Sequence, residues 1–137
     1  MFLSQFSGVP TAAGSKSAQF AAAFTKAVAA GLEAGKAAVP RVMVVQQIGA
    51  GNTVQQEWHE PEGLCGFAWV KVTPGNSPFA NWLKRHDFAS KAYGGGVDIW
   101  ISDFNQSVTR KEAAASALAK VLQMELGIHA YASSRLD

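Results

Sequence analysis

The chain has one cysteine, almost no net charge and no long apolar run. The lone Cys65 has no partner for an internal disulfide, which fits a reducing compartment and makes the cytoplasm the expected location. Twelve Lys and Arg stand against ten Asp and Glu, and the resulting charge of +2 gives no strong field to draw in nucleic acid or an anionic membrane. No stretch approaches the roughly 20 apolar residues needed to span a bilayer. The opening residues, MFLSQF, lack a basic segment, so no secretory leader and no membrane partner are expected. Charged residues make up only 16% and hydrophobic residues 48%, a balance that excludes a disordered chain. What is present suffices for one domain. A chain of 137 residues buries about two-thirds of the surface its unfolded form exposes, so no metal, disulfide or cofactor is needed to hold a core.

Apolar periodicity predicts the elements. Residues 1–14 carry Phe2, Leu3, Phe6 and Val9 without a helical period and read as a flexible apolar arm. Such side chains dock either on their own domain or on a neighbouring subunit, and with no local helix or strand to bury them the neighbouring subunit is the expectation. Residues 15–137 form the single domain. Ser15 to Ala38 is a helix with Phe20, Phe24, Val28 and Leu32 recurring every four residues, capped by Ser15 or Ser17 and stopped by Pro40. Gly31 and Gly35 weaken it locally by about 1 kcal/mol each but permit close packing. Residues 41–48 and 53–59 are β-branched or alternating runs around Gly49–Asn52, a hairpin signal. The spacing Gly49-x-Gly51 lacks the helix that a nucleotide-binding turn needs.

Residues 66–72 are apolar at nearly every position, as expected of a central strand covered on both faces. Removing Trp69 from it is therefore expected to cost about 3–5 kcal/mol. Asn76, Ser77 and Pro78 open a helix to about Ser90, with Phe79, Trp82, Leu83 and His86 inward. Val97–Ile101 alternates as a strand. Thr109 and Glu112 form a capping box for a helix that runs to Leu126 and ends at Gly127, and residues 128–132 form the last strand. The order α-β-β-β-α-β-α-β predicts an α+β fold, a mixed sheet packed with helices, with a right-handed crossover near the C-terminus.

Residues 66–70 (GFAWV), 76–84 (NSPFANWLK), 93–100 (YGGGVDIW), 106–113 (QSVTRKEA) and 127–135 (GIHAYASSR) resemble small proteins of tailed bacteriophages. The resemblance covers residues 63–137 and implies a phage-encoded protein of the host cytoplasm or the virion. It carries no activity, cofactor or catalytic residue with it.

Four constellations could carry chemistry. Arg110 and Lys111 sit in the first turn of the last helix, where cations oppose the helix dipole. With Ser107 and Thr109 they form a candidate anion or phosphate site. On that reading, replacing both cations with alanine leaves stability unchanged and weakens binding of anions. The run from Ser107 to Leu118 is similar to the basic helix start of double-stranded RNA-binding domains. The strand after it and the helix before residues 97–101 depart from that family. Lys84, Arg85, Lys91 and Tyr93 form a basic-aromatic stretch with Trp82 and Phe88. Asp98 and Trp100 on one late strand, and His129 and Tyr131 on another, share a polar sheet face if the strands are neighbours. An Asp beside a His would then offer acid/base chemistry. His59, Glu60, Glu62 and Cys65 fall within seven residues, but with a single cysteine they read as a solvated loop rather than a metal site.

No catalytic motif emerges from these residues. The expected function is non-enzymatic: docking to a protein partner or self-association, using the apolar arm and some of the four tryptophans. The alternative is nucleic-acid binding through Arg110, Lys111, Lys84 and Arg85.

Overall fold

Helix α1 spans Lys16–Ala37, and its start is fixed by the Ser15 hydroxyl, which accepts from the Ala18 N–H at 3.0 Å. The computed structural model describes residues 1–8, 15–52 and 54–137. The four-residue stripe of α1 turns inward: Phe24 and Val28 are buried, Phe20 and Leu32 partly so. Gly31 and Gly35 are also buried: Gly31 faces helix α3 (Val108–Leu126), and the space beside Gly35 is filled by the Phe104 ring. A Cβ at Gly31 would stand 3.1 Å from the Ala114 carbonyl oxygen, so the two backbones approach closely there. The glycines thus contribute through packing what they lose in helix propensity.

Strands β1 (Met43–Ile48) and β2 (Val54–Glu60) form an antiparallel hairpin that is a sheet of its own. The second sheet has the order β4-β5-β3-β6, with β3 at Gly66–Thr73, β4 at Ser90–Lys91, β5 at Val97–Trp100 and β6 at His129–Leu136. Every neighbouring pair is antiparallel. The α+β class is as expected, but the mixed sheet is not formed. Strands β5 and β6 do run in one direction around α3, yet β3 lies between them, and no parallel pair results.

Burial alternates along β3. Ala68, Val70 and Val72 join Val97, Ile99 and Ala130 on an inner face against Phe24, Trp82, Leu118 and Leu122. Phe67, Trp69, Lys71 and Thr73 point the other way and are only half-buried. Strand β3 is therefore central by position but, among the described residues, fully covered on one face alone, and Trp69 does not belong to the core. Trp82 does. It lies in helix α2 (Pro78–Arg85), capped by Ser77, whose hydroxyl accepts from the Ala80 N–H at 3.2 Å. Helix α2 ends five residues earlier than Ser90, because Asp87 adopts a left-handed φ of 62° and Ser90 pairs with Asp98 in the sheet.

Residues 1–6 dock on their own domain, not on a neighbour. Leu3 is fully buried, and Phe6 packs edge-on against Phe24 and Phe88 at 5.3 Å each. The N–H groups of Leu3 and Ser4, exposed by a short 3-10 turn at Leu3–Gln5, are both accepted by the buried Asp103 carboxylate. The Met1 nitrogen donates to the Trp100 carbonyl at 2.8 Å, and the Ser102 N–H donates to the Met1 carbonyl at 2.9 Å. The rest of the predicted arm, including Val9, lies outside the described residues.

Candidate functional site

The helices leave one face of the four-stranded sheet open. Trp69 and Trp100, cross-strand partners, lie with ring centroids 4.7 Å apart, and Phe67 meets Trp100 edge-on at 6.5 Å. Arg135 stands over the Phe67 ring at 5.1 Å. Lys71 reaches the Gly95 carbonyl, and Tyr131 is its register partner on β6. The open face is thus an aromatic centre rimmed by cations.

It is not an acid/base dyad. Asp98 lies opposite Lys71, and His129 lies opposite Thr73, so β3 separates the two by two strand spacings, about 10 Å. The His129 Nδ1 instead meets Thr73 Oγ1 at 2.6 Å. Asp98 borders a cleft of about 140 Å³ with Met1, Asp87, Phe88, Ser90 and Trp100, and its Oδ1 has no hydrogen-bond partner among the described residues. Burial raises its pKa above the ordinary carboxylate value, and Lys71 offsets part of the rise. The folded state therefore holds a proton more tightly than the unfolded chain, and stability falls as pH rises through the interval between the ordinary and the raised value. Asp98→Asn is expected to raise the melting temperature at pH 7 and to remove this fall, as checked by melts across acidic pH.

The predicted anion site is occupied by the protein itself. Ser107, not Thr109, caps α3: its hydroxyl accepts from the Arg110 N–H and donates to the Glu62 carbonyl at 2.9 Å. Thr109 is half-buried within the helix, and Glu112 accepts from the Ser134 hydroxyl rather than closing a box. The Arg110 guanidinium binds the Glu62 carboxylate at 2.6 Å and the Gly35 and Lys36 carbonyls at 3.0 and 2.9 Å. A cation that opposes the dipole of α3 thereby serves the exposed carbonyl end of α1. Lys111 is buried, its ammonium 5.7 Å from the Phe67 ring centroid. Burial lowers its pKa, against the pull of Asp103. Neither cation is free for a phosphate. Arg110→Ala should cost about 1–2 kcal/mol, the range for charge-assisted hydrogen bonds discounted for exposure. Chemical denaturation checks this, and it reverses the expectation of unchanged stability.

The basic-aromatic stretch divides. Trp82 and Phe88 pack with the core aromatics and offer no stacking face. Lys84 binds the Gly75 carbonyl at 3.0 Å and, with Arg85, Lys16, Phe20 and Asn81, lines an open groove of about 690 Å³. Lys91 and the fully exposed Tyr93 border a separate shallow pocket beside Gly94 and Gly95. In the former candidate loop, His59 stands 3.4 Å from Glu57 and Glu62 is taken by Arg110; among the described residues no three His, Cys, Asp or Glu converge.

The hairpin was legible as a hairpin, but not as a separate sheet. Neither strand packs substantially on a helix or on the second sheet. By register, one face carries Val44, Ile48 and Val54, with the Gln46–Glu57 pair between them. All three apolar side chains are about half exposed. Val42, just before β1, and Leu64 are also about half exposed. Among the described residues no helix is long and apolar enough to cross a membrane. No family model, curated protein or solved structure matches the chain.

Proposed function

We propose that the chain is a non-enzymatic interaction protein whose β1–β2 hairpin docks on a second copy of the same protein. One observation carries this reading: among the described residues, a two-stranded ribbon with three exposed apolar side chains packs on no helix and on no strand of the second sheet to any substantial extent. Such a ribbon is marginal in water, and association supplies the missing surface. The separation of Asp98 from His129 weighs against acid/base catalysis. The likeness of residues 63–137 to small tailed-phage proteins supports a phage-encoded setting, in the host cytoplasm or the virion.

The test is light scattering over a range of concentrations on wild type and Val44→Lys/Ile48→Lys. Both positions are exposed, so the variant keeps its melting temperature under dilute conditions. Wild type is expected to exceed the mass of one chain, 14.5 kDa, while the variant stays at it. Equal masses for the two proteins would overturn the reading.

A second reading, single-stranded nucleic acid on the open sheet face, is favoured by the Trp69–Trp100 pair beside Lys71 and Arg135. It supersedes the version based on Arg110 and Lys111. Oligonucleotide quenching of tryptophan fluorescence that weakens with salt and disappears in Trp69→Ala supports it. Absence of quenching removes it.

A further inference from the structure

We infer that the assembly is head-to-tail: β1 of one copy adds to the free edge of β6 in the next. This rests on the hairpin-docking reading and names the surface that receives the hairpin.

Strand β6 is the last in its sheet, with β3 on one side only. The hydrogen bonding shows which of its backbone groups are unused. The Ile101 N–H donates to the Ala68 carbonyl, so Ala68 turns toward β5. Antiparallel strands alternate, so Phe67, Trp69, Lys71 and Thr73 turn toward β6. Their register partners Arg135, Ser133, Tyr131 and His129 turn back toward β3. The N–H and C=O groups of Ala130, Ala132, Ser134 and Leu136 therefore face the open edge. Independently, the Gln123 side chain reaches the Ala130 carbonyl from outside the sheet. The edge beyond it, from Ala132 onward, is uncovered among the described residues.

Exposed edges are ordinarily blunted by charge, proline or a bulge. Between Ala130 and Ser134, β6 has no proline and no charged residue. Of the hairpin's two outer edges, β2 carries Glu57, His59 and Glu60, whereas β1 (MVVQQI) has no charge, glycine or proline. Among the described residues, the two unblunted edges of comparable length are thus β1 and β6. Pairing one with the other across copies closes both. Because donor and acceptor are different surfaces, the contact is heterologous and propagates from copy to copy as a ring or a filament.

Ser134→Pro tests the acceptor. Its N–H faces the open edge, so proline removes a donor for the incoming strand without removing a bond to β3. Melting temperature and circular dichroism verify that the variant folds, and Ser134→Lys, which blunts the edge without proline, serves if it does not. Light scattering is expected to give the mass of one chain for Ser134→Pro and for Val44→Lys/Ile48→Lys alone. An equimolar mixture is expected to give twice that mass, since one intact donor then meets one intact acceptor. Folded Ser134→Pro and Ser134→Lys that assemble like wild type overturn the β6 acceptor while the hairpin reading stands. A Val44→Lys/Ile48→Lys protein that assembles like wild type overturns both. A mixture that stays at the mass of one chain overturns the head-to-tail arrangement.

Discussion

Trp82→Ala is expected to lower stability by about 3–5 kcal/mol, the usual loss when a buried large aromatic is truncated. For a domain of this size that is roughly 10–20 °C in melting temperature. Trp82 is fully buried. It stacks on Phe79 at 5.7 Å and 13°, meets Phe20 and Phe24 edge-on, and contacts Phe88. Its indole N–H donates to the Ser17 hydroxyl at 3.2 Å, so truncation leaves a cavity and also deprives that hydroxyl of its donor. Trp69→Ala is the matched comparison. Trp69 is half-buried on the open face, and its removal should cost less than half as much. Thermal melts of the two variants check the contrast. Equal losses would mean that the open face is covered in the folded monomer.

Asp103→Ala is the second large effect, about 3 kcal/mol or more. The carboxylate accepts two backbone N–H bonds from Leu3 and Ser4, and a hydrogen bond to a buried charged group is worth about 1.5–3 kcal/mol. Its loss also leaves the buried Lys111 without the nearby carboxylate that favours its charged form. Leu3 and Phe6 then lose the anchor that holds them on Phe24 and Phe88. Limited proteolysis near the N-terminus should accelerate along with the fall in melting temperature. A variant that melts lower with unchanged proteolysis would place the role of Asp103 at Lys111 alone.

Much of this architecture could be read locally. The stripe in α1, the serine caps before α1 and α2, the hairpin turn at Gly49–Asn52 and the left-handed Gly127 that ends α3 each depend on neighbours within a few residues. The misreadings share a cause: each was decided by residues far apart in sequence. Ser107 and Thr109 are both fit to cap a helix, and the Glu62 carbonyl together with the pairing of Cys65 with Ser107 selects Ser107. The oddity at Arg110 and Lys111 was visible, but its resolution needed the carbonyl end of α1, some 75 residues earlier. An apolar run such as residues 66–72 does not reveal that its second face stays open. That depends on where the helices dock. Alternation along each strand puts Asp98 and His129 on one sheet face only if their strands are neighbours; β3 lies between them, and local pattern does not reveal it.

Amide hydrogen exchange across the hairpin, residues 43–60, at low and high protein concentration tests the central claim most directly. If the hairpin is completed by another copy, its amides exchange quickly when dilute and become protected as concentration rises, while the amides of β3 stay protected throughout. Hairpin amides that are equally protected at both concentrations, or unprotected at both, would contradict it.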